Sequence, residues 1–139
     1  MPLDLSSFTK AVDSLDRALK VAAAKIPGQV TTAHDEVIRA GVIQNFEFTY
    51  ELCWKFMKRW LELNSGAANV DGVSRKELFR LAAESRLITG VENWFKYHIA
   101  RNETAHTYDP AKASEIFTLA GSFAIDARKL LQVLEQRND

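Results

Sequence analysis

The chain has little with which to brace itself covalently. It holds one cysteine, Cys53, so no internal disulfide can form, and no Cys-x-x-Cys pair offers itself to zinc or to thiol redox chemistry. No apolar run reaches the roughly 18 residues of a membrane-spanning helix. Met1-Pro2-Leu3-Asp4 lacks the basic-then-apolar opening of a secretory signal. Lys plus Arg and Asp plus Glu both number 18, so there is no overall basic field of the kind that drives indiscriminate nucleic-acid binding. A glycine-rich phosphate loop, a Gly-x-Ser-x-Gly elbow and a His-Glu-x-x-His motif are all missing. The expectation is a soluble, cytoplasmic, single domain over residues 1–139, without membrane partner or cofactor.

What is present suffices for an ordinary core. Of the 139 residues, 47% are hydrophobic and 26% charged, a globular composition. A domain of this length can bury roughly two-thirds of its unfolded surface without staples. Charge is uneven along the chain. Residues 1–54 and 102–139 each carry a net −2, whereas residues 55–101 carry nine basic and five acidic side chains. Lys55, Lys58, Arg59, Arg75, Lys76, Arg80, Arg86, Lys96 and Arg101 lie in that middle segment. Solvated helix faces are the preferred reading of them, because an excess of four charges is small for phosphate binding.

Apolar spacing predicts helices throughout. Phe8, Val12, Leu15, Leu19, Ala22 and Ile26 recur every three or four residues, with Ser6 or Ser7 as the cap and Pro27-Gly28 as the stop. A long helix follows from Thr32 to about Asn64. Ser74-Arg75-Lys76-Glu77 reads as a capping box, opening a short helix with Leu78, Leu81 and Ala82. Thr89-Gly90 breaks the chain before a helix from Val91 to about His106. Asp109-Pro110 then starts a last helix, with the carboxylate as cap and proline where its missing N–H costs nothing. No stretch alternates like a strand. The fold expected is an all-α, antiparallel up-and-down bundle of four main helices and a shorter one. Leu15, Leu19, Phe46, Phe56, Phe123 and Leu130 are expected in its core.

The second helix carries Phe48, Tyr50, Trp54, Met57 and Leu61 beyond its main stripe. A helix apolar over most of its circumference buries more than one face, which points to a homodimer with Phe48 or Trp54 at the interface. Its remaining polar strip, Gln44, Glu47, Glu51, Lys55 and Lys58, reads as the solvated side, with Glu51 and Lys55 a helix ion pair.

The chemistry-bearing residues cluster in Arg101-Asn102-Glu103-Thr104-Ala105-His106-Thr107-Tyr108-Asp109-Pro110. Arg grips phosphate through a fork of donors, and His takes and gives a proton near neutral pH. Such a pair suits cleavage of a phosphodiester by an RNA 2′-hydroxyl. On an ideal helix, however, Arg101 and His106 sit about 140° apart. They converge only if the helix loosens or if two subunits bring their segments together. Without those conditions the segment reads as a polar helix end. His98, Asn102 and His106 on one face make a poor metal set, because no carboxylate or cysteine stands at matching spacing.

The pattern Arg101-x4-His106-x-Tyr108, with Asn102 beside the arginine, resembles the motif of the HEPN superfamily. The segment Arg101–Asp109, together with the run Gly41–Lys55, resembles the nucleotidyltransferase substrate-binding proteins and HepT-type toxins within it. The resemblance implies a helical bundle, a homodimer with its motifs facing across a cleft, and a minimal nucleotidyltransferase encoded nearby as partner. In the toxin branch it implies a metal-independent ribonuclease, with Arg101 and His106 catalytic and Asn102 on the substrate. The partner then silences the toxin by transferring AMP to Tyr108. In the other branch it implies a subunit that binds RNA or nucleotide for the partner and catalyses nothing. Both branches share these residues, so the motif does not choose between them; the ribonuclease is the preferred reading and the binding subunit the alternative.

Overall fold

The computed structural model describes residues 2–138. Five α-helices follow one another: α1 (Ser6–Lys25), α2 (Ala33–Ser65), α3 (Arg75–Glu84), α4 (Val91–Glu103) and α5 (Pro110–Gln136). No strand occurs among the described residues. α1, α2 and α5 pack against one another, while α3 and α4 close the bundle against α2 and α5.

Local chemistry fixes the helix ends. Thr32 caps α2 through a full capping box: its hydroxyl accepts from Asp35 N at 3.0 Å, and the Asp35 carboxylate accepts from Thr32 N at 3.2 Å. The box expected at Ser74 is half formed. Ser74 Oγ accepts from Glu77 N at 3.1 Å, but Glu77 turns to Arg80 at 3.5 Å. Neither Ser6 nor Ser7 caps α1; Asp4 does that work, accepting from Ser6 N and Oγ at 3.0 and 2.7 Å. Asp109 caps α5 as expected, taking Ala111 N at 2.9 Å with Pro110 in the first turn. The α3–α4 connection needs left-handed backbone at Arg86 and Gly90. Arg137 secures Arg86 by donating to the carbonyls of Ser85 and Arg86 at 2.7 and 3.2 Å.

Side chains from all five helices meet in one core. Phe123 on α5 is fully buried, with Phe46 at 4.9 Å, Tyr97 at 5.1 Å and Trp94 at 6.0 Å between ring centres, all edge-on. Leu15, Phe46, Phe56 and Leu130 are buried as expected, whereas Leu19 is only partly covered at the α1–α5 rim. Tyr50, Met57 and Leu61 need no second subunit. They are buried within the chain, because α3, α4 and α5 cover faces of α2 that α1 leaves open. Of the apolar excess on α2, Phe48 remains 53% exposed and Trp54 half-buried. No helix among the described residues is long and apolar enough to cross a membrane.

Candidate functional site

α4 does not run to His106. It ends at Glu103 and tightens into a single 3₁₀ turn, Thr104–His106, before the α5 cap. Thr104 marks the change: its hydroxyl lies 2.6 Å from both Arg101 O and Glu47 Oε2, so it serves the backbone and a side chain of α2 at once. This change of geometry does not bring the pair together: Arg101 bonds to Glu51 and Thr104, and no hydrogen bond joins it to His106.

Arg101 turns inward to α2. Its Nε donates to Glu51 Oε1 at 3.0 Å, while Nη1 lies 3.4 Å from Glu47 Oε2 and donates to Thr104 Oγ1 at 3.1 Å. The second Glu51 oxygen accepts from Trp54 Nε1 at 2.9 Å. Arg101, Glu47 and Glu51 keep side-chain exposures of 32%, 40% and 31%, so solvent and solutes reach the cluster. The polar strip of α2 is therefore more than a wet side. Its Glu51–Lys55 pair does not form, because Glu51 is engaged across the bundle and Lys55 lies over the Trp54 ring. Glu47 and Glu51, four residues apart on α2 and read from the sequence as part of its solvated side, both pair with Arg101 instead.

His106 and Tyr108 form a separate pair at the surface. Both are exposed, Tyr108 by 83%, with ring centres 5.9 Å apart in an edge-on arrangement. Asn102 is exposed on the last turn of α4. A cleft of about 330 Å³ opens between the α2 and Thr104 sides of the cluster. Glu36, Arg39, Gln44, Glu47, Thr104 and Thr107 are among its walls.

His98 lies one turn before Arg101 and is engaged with α2. Its Nδ1 is 2.8 Å from the Tyr50 hydroxyl. Burial pushes the Tyr50 phenol up to about 12. Burial, aided by the Arg75 cation, holds the His98 imidazole below its ordinary value. Among the described residues no three His, Cys, Asp or Glu side chains gather to hold a metal ion.

The same arrangement of helices recurs in known proteins. A structure from Haemophilus influenzae, described as the fold of a substrate binding domain of a nucleotidyltransferase, superimposes with a TM-score of 0.88 at 30% identity, over 95% of this chain and 99% of that one. A crystal structure from Thermus thermophilus follows at 0.70 and 27%, over 89% and 98%. In sequence, a protein named probable ribonuclease HepT, from Haemophilus influenzae strain Rd, is 40% identical over 113 residues, spanning 79% of this chain and 75% of its own. Residues 3–136 match the family model described as nucleotidyltransferase substrate binding protein like. On that match and these likenesses, the chain belongs to the nucleotidyltransferase substrate-binding protein family.

Proposed function

We propose that this chain is the ribonuclease subunit of a two-protein module, acting as a homodimer and silenced by a minimal nucleotidyltransferase. The observation that carries the reading is Arg101, a half-exposed guanidinium fixed in orientation by Glu47, Glu51 and Thr104 at the foot of the His106–Tyr108 turn. The likeness to a probable ribonuclease HepT at 40% identity supports it.

In the reaction, the imidazole of His106 takes the proton of an RNA 2′-hydroxyl, and the oxygen attacks the adjacent phosphorus. The Arg101 guanidinium stabilises the charge that gathers on the phosphoryl oxygens. The bond to the 5′-oxygen breaks, and that oxygen takes the proton back from the His106 imidazolium, giving a 2′,3′-cyclic phosphate and a 5′-hydroxyl. Within one chain Arg101 and His106 face different ways, so the two motifs of a dimer supply the pair together. No step calls for a metal ion.

Silencing acts through Tyr108. Its phenolic oxygen attacks the α-phosphorus of ATP on the partner, pyrophosphate leaves, and the phenolic proton passes to a base of that enzyme. The AMP anion then occupies the phosphate position beside Arg101 and His106 and repels RNA. The test is co-incubation with the nucleotidyltransferase and ATP. AMP on Tyr108 with loss of RNA cleavage supports the mechanism; AMP elsewhere, or tight binding without transfer, overturns the switch.

One observation favours a second reading, in which the chain only binds nucleotide for the partner. The 330 Å³ cleft beside Glu47 presents Arg39, held among the described residues by Ser114 Oγ at 3.3 Å, to a phosphate. RNA left uncut by the purified dimer selects this reading.

A further inference from the structure

Most basic residues of the middle segment are solvent-exposed, and four of them gather beside two aromatic rings. Arg75, at the start of α3, lays its guanidinium 3.6 Å from the centre of the Trp54 indole, and Lys55 lies 5.8 Å from the same ring. Lys76 and Arg80 lie 5.7 and 5.6 Å from the Phe95 ring of α4. Cations of α2 and α3 thus interleave with half-buried aromatics of α2 and α4. Among the described residues, Lys55, Arg75 and Lys76 have no carboxylate partner, while Arg80 pairs with Glu77 at 3.5 Å.

This stripe is continuous with the Arg101 cluster. Trp54 under the Arg75 plane donates to the Glu51 carboxylate that holds Arg101. On α4, one turn before Arg101, His98 Nδ1 lies 2.8 Å from the Tyr50 hydroxyl of α2.

We propose that the Trp54–Arg75–Lys76–Phe95 stripe is the platform on which single-stranded RNA lies while its phosphate is presented to Arg101. Trp54 holds the Arg75 guanidinium flat, so its outer face stacks on an unpaired base and its edge donates to phosphate. Lys55 and Lys76 follow the backbone on either side. Planar stacking selects unstacked bases over duplex, in which base faces are covered, and over acidic peptides, which have no base to offer. The proposal rests on the ribonuclease reading and adds to it where the substrate lies.

The test is fluorescence anisotropy of a labelled single-stranded RNA of about 12 nucleotides, within the span such platforms cover. The full chain carries His106→Ala, so that the probe stays intact. Arg75→Gln with Lys76→Gln weakens binding about tenfold and lowers the salt slope by roughly 1.4, two phosphate contacts on single-stranded RNA. Trp54→Phe keeps the affinity and Trp54→Leu loses about tenfold; should Trp54→Leu fail to fold, the Arg75 and Lys76 variant decides alone. Duplex RNA of the same sequence binds at least about tenfold more weakly than single strands. Unchanged affinity in the Arg75 and Lys76 variant, or equal binding of duplex, overturns the platform. If the chain with His106 intact still cleaves RNA in that case, only the platform falls. A wild type that neither binds nor cleaves single-stranded RNA overturns the ribonuclease reading with it.

Discussion

Arg101 and Glu51, fifty positions apart in the chain, meet across the α4–α2 contact at 3.0 Å. The carboxylate orients the guanidinium and also competes with any phosphate for it. Glu51→Gln removes the competing charge and keeps an oxygen acceptor. A half-exposed pair of this kind is worth about 0.2–1 kcal/mol, so KM for RNA falls by a factor of about 1.5–5. Steady-state cleavage kinetics check this, and a raised KM contradicts it.

Phe48 is the large aromatic side chain of α2 that the chain leaves open to solvent. Phe48→Glu weakens self-association, because a charge in a dimer interface is strongly penalised. Sedimentation velocity across a concentration series reads the effect. A wild type that stays monomeric at every concentration removes the dimer.

Phe123 stands where α2, α4 and α5 meet. Phe123→Ala destabilises the fold by about 3–5 kcal/mol in urea unfolding. Phe48→Ala changes it by less than about 0.5 kcal/mol, as expected of an exposed side chain. Equal losses at the two sites contradict the packing described.

His98 makes stability depend on pH in mild acid. Its folded value lies below the ordinary 6.5, so the unfolded chain takes up a proton that the folded chain resists. The contribution is complete above about pH 6.5 and is lost as pH falls below that point through the folded value. Melting temperature falls from pH 7 to pH 5, and His98→Asn flattens the slope. A slope that survives in the variant contradicts the assignment.

Most of the architecture is legible in the sequence because it rests on local chemistry. The α5 start follows from Asp109 and Pro110 alone, and the α1 stripe from the spacing of Phe8, Val12 and Leu15. Tertiary partners are not encoded that way. Glu51 stands four residues before Lys55, which suggests a helix pair, yet Arg101 outcompetes it from fifty residues away. Tyr50, Met57 and Leu61 look like surplus on α2 until α3, α4 and α5 cover them. The end of α4 at Glu103 depends on a Thr104 hydroxyl shared between Arg101 O and Glu47, and no periodicity reports such a bond.

The central claim is that Arg101 and His106 cut RNA, and single-turnover cleavage of a labelled single-stranded RNA in EDTA tests it most directly. The account predicts cleavage by the wild type that EDTA leaves unchanged, with 2′,3′-cyclic phosphate ends. It also predicts a loss of about 10²–10⁴-fold in both Arg101→Ala and His106→Ala, with folding intact. Cleavage that persists in both variants, or that stops in EDTA, would contradict it.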